Sequence, residues 1–174
     1  IWFNLDPGAA PLMDFLGEMP EKLAGYQFER ATLIDYKTFE FDCNWKTCLD
    51  AFNESYHFPA LHRQLLPWGN EDAPITLMGL HSMMINQYGV PSPSLKDRET
   101  IGAQLEEYLR GQGIDPEMFD GRGLDIRGAV QEHKRKLQND THFSYQTLED
   151  GQLTDAYHYL VFPNVHFNCF AEFH

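Results

Sequence analysis

The sequence predicts an α+β fold, an antiparallel sheet with helices grouped on one side. Aromatic and β-branched residues alternate with polar ones in several stretches, as half-buried strands require. In other stretches apolar residues recur at helical spacing. Turns rich in Pro and Gly divide the two kinds, and no internal repeat or low-complexity tract crosses them.

In chain order, residues 1–5 read as a strand in progress, followed by a Pro/Gly/Ala turn over 6–11 and a short apolar segment over 12–16. Residues 26–32 and 35–43 read as an antiparallel strand pair. Asn44 is placed to cap a helix running to about Tyr56. Pro59 ends that helix, because it has no N–H and its ring meets the preceding turn. Strand character returns over 75–90, before a Pro/Ser loop at 91–94. Ile101, Leu105, Tyr108 and Leu109 predict a helix that Gly111 and Gly113 stop. Residues 113–128 read as a mobile loop, and Val130, His133 and Leu137 as a further helix. Two strands close the chain, 144–162 with a turn at 149–151, and 165–173, joined by Phe162-Pro163-Asn164. Both termini read as strands under way, so a piece of a longer polypeptide is expected.

Bulk properties narrow the function. A chain of 174 residues is long enough for one domain with a real core. Its net charge of −13 repels a phosphate backbone, so nucleic acid is not an expected partner. Aromatic residues make up 14% of the chain, which predicts ring surfaces lining a cavity. Cys43, Cys48 and Cys169 are odd in number and form no Cys-x-x-Cys pair. They point away from a disulfide framework and a Cys-based zinc site, and towards a reducing compartment. No apolar run reaches membrane length, so a cytoplasmic protein is expected.

The informative segment is Asn44-Trp45-Lys46 through Phe52-Asn53-Glu54-Ser55-Tyr56-His57-Phe58-Pro59-Ala60-Leu61-His62. On one unbroken helix His57 and His62 would point about 140° apart and could not share a metal. A break at Pro59 removes that objection. Glu54, one turn before His57, is placed to accept the imidazole's second N–H and so orient a metal ligand. Two His with a carboxylate and open positions suit Fe(II) and O₂. From spacing alone a second reading stands beside this one, a buried His bonded to a carboxylate for structural reasons.

The run Asn44-Trp45-Lys46, Phe52, Glu54-Ser55-Tyr56-His57 and His62 resembles the iron-binding signature of Rieske-type non-haem iron ring-hydroxylating oxygenases, in the catalytic domain of the alpha subunit. Ile1 to Pro7 resembles the stretch leading out of the family's Rieske domain, and Phe162-Pro163-Asn164 a turn late in its catalytic sheet. The resemblance implies residues 1–10 as the end of a Rieske domain with its linker, and 11–174 as a mononuclear iron domain lacking its last part. It implies a helix-grip sheet curved around a long cavity. His57 and His62 become the histidine ligands, and Glu54 the acidic residue that carries electrons from a neighbouring subunit's cluster. The third ligand is expected to be an Asp beyond His174. Ala51 and Ser55 depart from the pattern, where the family has Asn and often Cys. Asp155 and Glu172 stand in no matching motif.

The implied activity is hydroxylation of an aromatic or otherwise hydrophobic substrate with O₂. It embraces dihydroxylation, monohydroxylation and demethylation. Electrons come from NAD(P)H through a reductase, sometimes a ferredoxin, and a 2Fe-2S Rieske cluster. That cluster needs a Cys-x-His and a Cys-x-x-His, which these residues do not contain. A homotrimer or an α3β3 assembly follows. Phe52, Phe58, Met83, Tyr159, Asn168 and Phe170 are candidates for lining the substrate cavity, and ordinary core packing is at least as strong a reading for each. His81, His158 and His166 are read as packed or surface residues. Two rivals remain: a non-catalytic hydrophobic-ligand-binding module of the same fold, and a zinc hydrolase, which would need a His-Glu-x-x-His that is absent.

Overall fold

A computed structural model describes residues 3–119, 121–137 and 143–171. Among them is a four-stranded antiparallel meander in the order β1 (Ile75–Met78), β2 (His81–Asn86), β3 (Ala156–Val161) and β4 (Val165–Cys169). Gly79, at φ +62°, opens the two-residue turn between β1 and β2; a side chain there would be strained. Phe162-Pro163-Asn164 turns β3 into β4, and Val161 pairs with Val165.

Strand alternation gives the sheet two chemically different faces. The register puts Met83, Tyr159 and Phe167 side by side on one face, with Ile85, Tyr157 and Cys169 in the next row. This apolar face packs against Met19 of α2 (Met19–Ala24), against Tyr26, Tyr145 and Leu148, and against Leu153 of α7 (Asp150–Thr154). The opposite face carries Ser82, Met84, Asn86, His158, Leu160, His166 and Asn168. α1 (Leu12–Leu16) precedes α2.

A second core forms where α5 (Ala103–Gly111) meets α6 (Ile126–Lys136). Leu105 and Leu109 are buried with Ile126 and Val130, each pair spaced four apart on its helix. α6 is tied to the start of β3 by Arg127, whose guanidinium grips the buried Asp155 carboxylate and bonds Thr154 Oγ1 at 2.8 Å. Gly89, at φ +72°, lets the chain pass Arg127; a Cβ there would lie 3.0 Å from the arginine Cα.

Several sequence expectations are corrected. Residues 3–5 form no strand; residues 1 and 2 lie outside the described residues. The strand pair at 26–32 and 35–43 is absent. Gln27 adopts a left-handed conformation, φ 50°, which interrupts extended backbone between Tyr26 and Phe28. Tyr26 instead plugs the core, and residues 31–41 run without regular structure, Ile34 being 90% exposed. Residues 113–128 are not a loose loop. Their described residues, all but 120, hold two short 3₁₀ turns, Pro116–Met118 and Gly123–Asp125, and the start of α6, and bury Ile114 and Phe119.

The strand expected over 144–162 is helical in its first half. Glu149 and Gln152 form a reciprocal capping box that starts α7, with Glu149 N–H donating to Gln152 Oε1 at 3.0 Å. The strand expected over 165–173 ends at Cys169, with 172–173 outside the described residues. Strands at 75–90 and helices near 101–109 and 130–137 are found as expected. Among the described residues no helix is long and apolar enough to cross a membrane.

Candidate metal centre

The helix expected from Asn44 to Tyr56 is shorter and is followed by a second. Asn44 caps α3 (Trp45–Asp50), its side-chain oxygen accepting from Lys46 N–H at 3.0 Å. α3 ends in a turn where Asn53 Nδ2 donates to the Leu49 carbonyl at 3.1 Å. That turn lays Phe52 against the polar face of the sheet, its ring centroid 5.9 Å from both His158 and His166. Ser82 Oγ reaches Asn53 Oδ1 at 3.5 Å. Ser55 is buried and donates to the Glu71 carbonyl at 2.5 Å, which fixes the segment from its other side.

α4 (Phe58–Leu61) is a single helical turn, with His57 at its N-cap and His62 at its C-cap. Pro59 occupies the first turn of this new helix, where its missing N–H costs nothing. The histidines therefore meet because they flank one short helix, not because one long helix is broken between them. His62 leaves helical backbone at φ −122°, ψ 42°. The two rings lie 5.1 Å apart at 70°, and buried Phe58 makes edge contacts to both, at 5.2 and 5.6 Å.

Glu54 meets His57 as the sequence implied, though from irregular backbone after a turn rather than from a helix face. Its Oε1 is 2.5 Å from His57 Nδ1, and its Oε2 accepts the His57 backbone N–H at 3.3 Å. With Nδ1 bound to a carboxylate, Nε2 is the nitrogen left for a ligand. Both side chains are about four-fifths buried (16% and 20% exposed), which strengthens the bond relative to water.

The pocket candidates separate by face. Phe58 touches the histidine pair. Phe52, Asn168 and Phe170 gather around His158: Asn168 Oδ1 lies 2.9 Å from its Nδ1, and Phe170 sits edge-on at 6.3 Å. Met83 and Tyr159 project from the opposite, apolar face and belong to the core, because strand parity sends odd and even positions to opposite sides. They are not brought to His57.

Three further histidines resolve into two kinds. His81 is structural: its Nδ1 accepts the Phe162 N–H at 3.1 Å and its Nε2 meets the Phe15 carbonyl at 2.7 Å. His158 and His166 lie on the polar face beneath Phe52. Burial holds the His158 pKa below its ordinary value, against the opposing pull of its Asn168 bond. Burial and the nearby His158 lower that of His166. Among the described residues, both ring nitrogens of His166 and both amide atoms of fully buried Asn86 have no hydrogen-bond partner. The signal for this face was in the parity of the sequence. Ser82, Asn86, His158, His166 and Asn168 all fall on even positions of their strands.

Asp155 is occupied by Arg127 and also accepts from Tyr88 N–H at 3.2 Å, so it is no ligand candidate. Glu172 lies outside the described residues. Among the described residues no cluster of three His, Cys, Asp or Glu side chains is poised to hold a metal. A groove of about 460 Å³ is lined by Phe3, Asn4, Asp6, Leu12 and Phe15 and contains none of the candidate residues.

A family model, ring hydroxylating alpha subunit (catalytic domain), matches residues 28–174. The chain belongs to that family. The match covers the histidine pair, α5 to α7 and the whole described sheet, and begins after α2. Ring-hydroxylating alpha subunits form an oxygenase family, which places the chain in an oxidoreductase context. No curated protein and no solved structure matches the chain.

Proposed function

We propose that this chain is the iron-holding part of an oxygenase component that hydroxylates an aromatic or other hydrophobic substrate with O₂. The observation that carries the reading is the Glu54–His57–His62 arrangement, two adjacent imidazoles, one with its tautomer set by a carboxylate.

The donor set fits a mononuclear Fe(II). Imidazole nitrogens suit iron, and two of them beside a carboxylate from elsewhere make the facial set of non-haem oxygenases. His57 and His62 would hold the metal. The third ligand in this proposal is an Asp outside these residues. Bound there, Fe(II) supplies the O₂-activating chemistry.

The chain's own residues do the rest. Glu54 keeps His57 oriented and its Nδ1 proton in place. In the trimeric or α3β3 assembly we propose, it also links the iron site to a partner subunit's 2Fe-2S Rieske cluster, fed from NAD(P)H by a reductase with or without a ferredoxin. Phe58 excludes water beside the histidines. Phe52, Asn168 and Phe170 orient the substrate ring over the polar sheet face, which we propose is one wall of a helix-grip cavity. The boundary near residue 10 between a Rieske domain and this one belongs to the same proposal.

The test is metal analysis and the visible spectrum of the full-length protein, purified anaerobically. One mononuclear iron and one 2Fe-2S signature per chain are expected. A single zinc without a cluster would indicate a hydrolase, and no metal a non-catalytic carrier of hydrophobic ligands.

A further inference from the structure

Cys43 and Cys48 meet across the start of α3. Their Sγ atoms are 3.4 Å apart, and both are free thiols, Cys43 exposed and Cys48 half-buried. The capping geometry imposes this contact. With Asn44 as N-cap, Cys43 is the residue before the cap and Cys48 the fourth residue of the helix. Side chains at those two positions pack together in a hydrophobic staple. Here both members of the staple are sulfur, held together before any reaction.

We propose that Cys43 and Cys48 are a reversible modification site, a dithiol that a hydroperoxide closes into an intrachain disulfide across the N-cap of α3. One sulfur, as thiolate, attacks a peroxide oxygen. The O–O bond breaks, water leaves, and a sulfenic acid forms. The second sulfur attacks the first, the S–S bond forms, the S–O bond breaks, and a second water leaves. The two thiols lose two electrons and two protons, and one hydrogen peroxide accepts them to become two waters.

Exposure makes Cys43 the sulfur that peroxide reaches first. Its hydrogen bond to Cys48 holds its thiol above the ordinary pKa, so closure quickens as pH rises. Cys169 serves as an internal control, because it is buried beneath the sheet and its thiol is pushed up to about 12. The inference does not rest on the iron reading, since neither sulfur touches the histidine pair.

The full-length protein, with its metals, is treated with hydrogen peroxide, quenched with catalase, then unfolded in denaturant, alkylated and digested with trypsin. Cleavage after Lys46 falls inside the loop, so residues 38–46 and 47–63 become separate peptides. The expected result is one linked species that dithiothreitol resolves into the two peptides. Cys169 remains alkylated throughout, and the link is lost in Cys48→Ser. Oxygen added to Cys43 while Cys48 still alkylates would overturn the proposal. So would a link that joins two chains through Cys43.

Discussion

His57 gives its Nδ1 to the Glu54 carboxylate at 2.5 Å, and the same carboxylate accepts the His57 backbone N–H at 3.3 Å. One side chain thus fixes both the ring and the N-cap of α4, the helix whose far end carries His62. Removing it affects orientation before it affects ligand count. Glu54→Ala is expected to weaken iron binding and, with iron restored to saturation, to slow turnover about 10–100-fold. Metal content and NADH-coupled O₂ consumption check this together. Wild-type turnover in the variant would take Glu54 out of the electron path.

His57→Ala and His62→Ala are expected to bring iron content near zero while the fold survives. Each ring is partly exposed, and the Asn44 cap, the Ser55–Glu71 bond and buried Phe58 remain to hold the segment. Iron analysis beside far-ultraviolet circular dichroism reads both halves of the expectation. A full iron complement in either variant would remove that residue from the ligand set.

What the sequence revealed, and what it hid, follows from how local each signal is. The Glu54–His57 contact and the proximity of His62 were legible because they need only three to five residues of chain. The route differs: from sequence Pro59 reads as a helix breaker, yet it lies in the first turn of α4, a role visible only once α3 is seen to stop at Asp50. The strands at 75–90 showed because their alternation is real and paired. The alternation at 35–43 is equally clear, but alternation only states that a face is available for burial; a partner strand must supply it. Residue type alone makes Met83 and Tyr159 candidates for either the pocket or the core. Which face they occupy depends on register against β3 and β4, and that is not local information.

Asp155 supplies a stability test that separates it from metal binding. It is buried, and it bonds Arg127, Thr154 and the Tyr88 backbone, joining α6 to β3. Asp155→Ala leaves the guanidinium without its partner, which costs about 3 kcal/mol for a largely buried pair. In a chain of this size that lowers Tm by about 6–12 °C. Thermal melts measure the loss, and iron content should be unchanged. Iron lost at temperatures where the variant is folded would make Asp155 part of the metal site after all.

His158 and His166 predict an acid limit on stability. Both have folded-state pKa values below the ordinary 6.5, His158 chiefly through burial, so the folded chain binds fewer protons than the unfolded chain as pH falls past 6.5. Stability then rises with pH wherever the unfolded state holds more protons. The neutral rings therefore leave stability intact above about pH 6.5, and stability is lost as pH falls from there towards the folded values. His158→Gln removes one such group. Its Tm is expected to fall less steeply than that of the wild type between about pH 7 and pH 5. Parallel profiles for the two proteins would mean that the acid sensitivity of this chain lies elsewhere, and that burial under Phe52 does not hold His158 neutral.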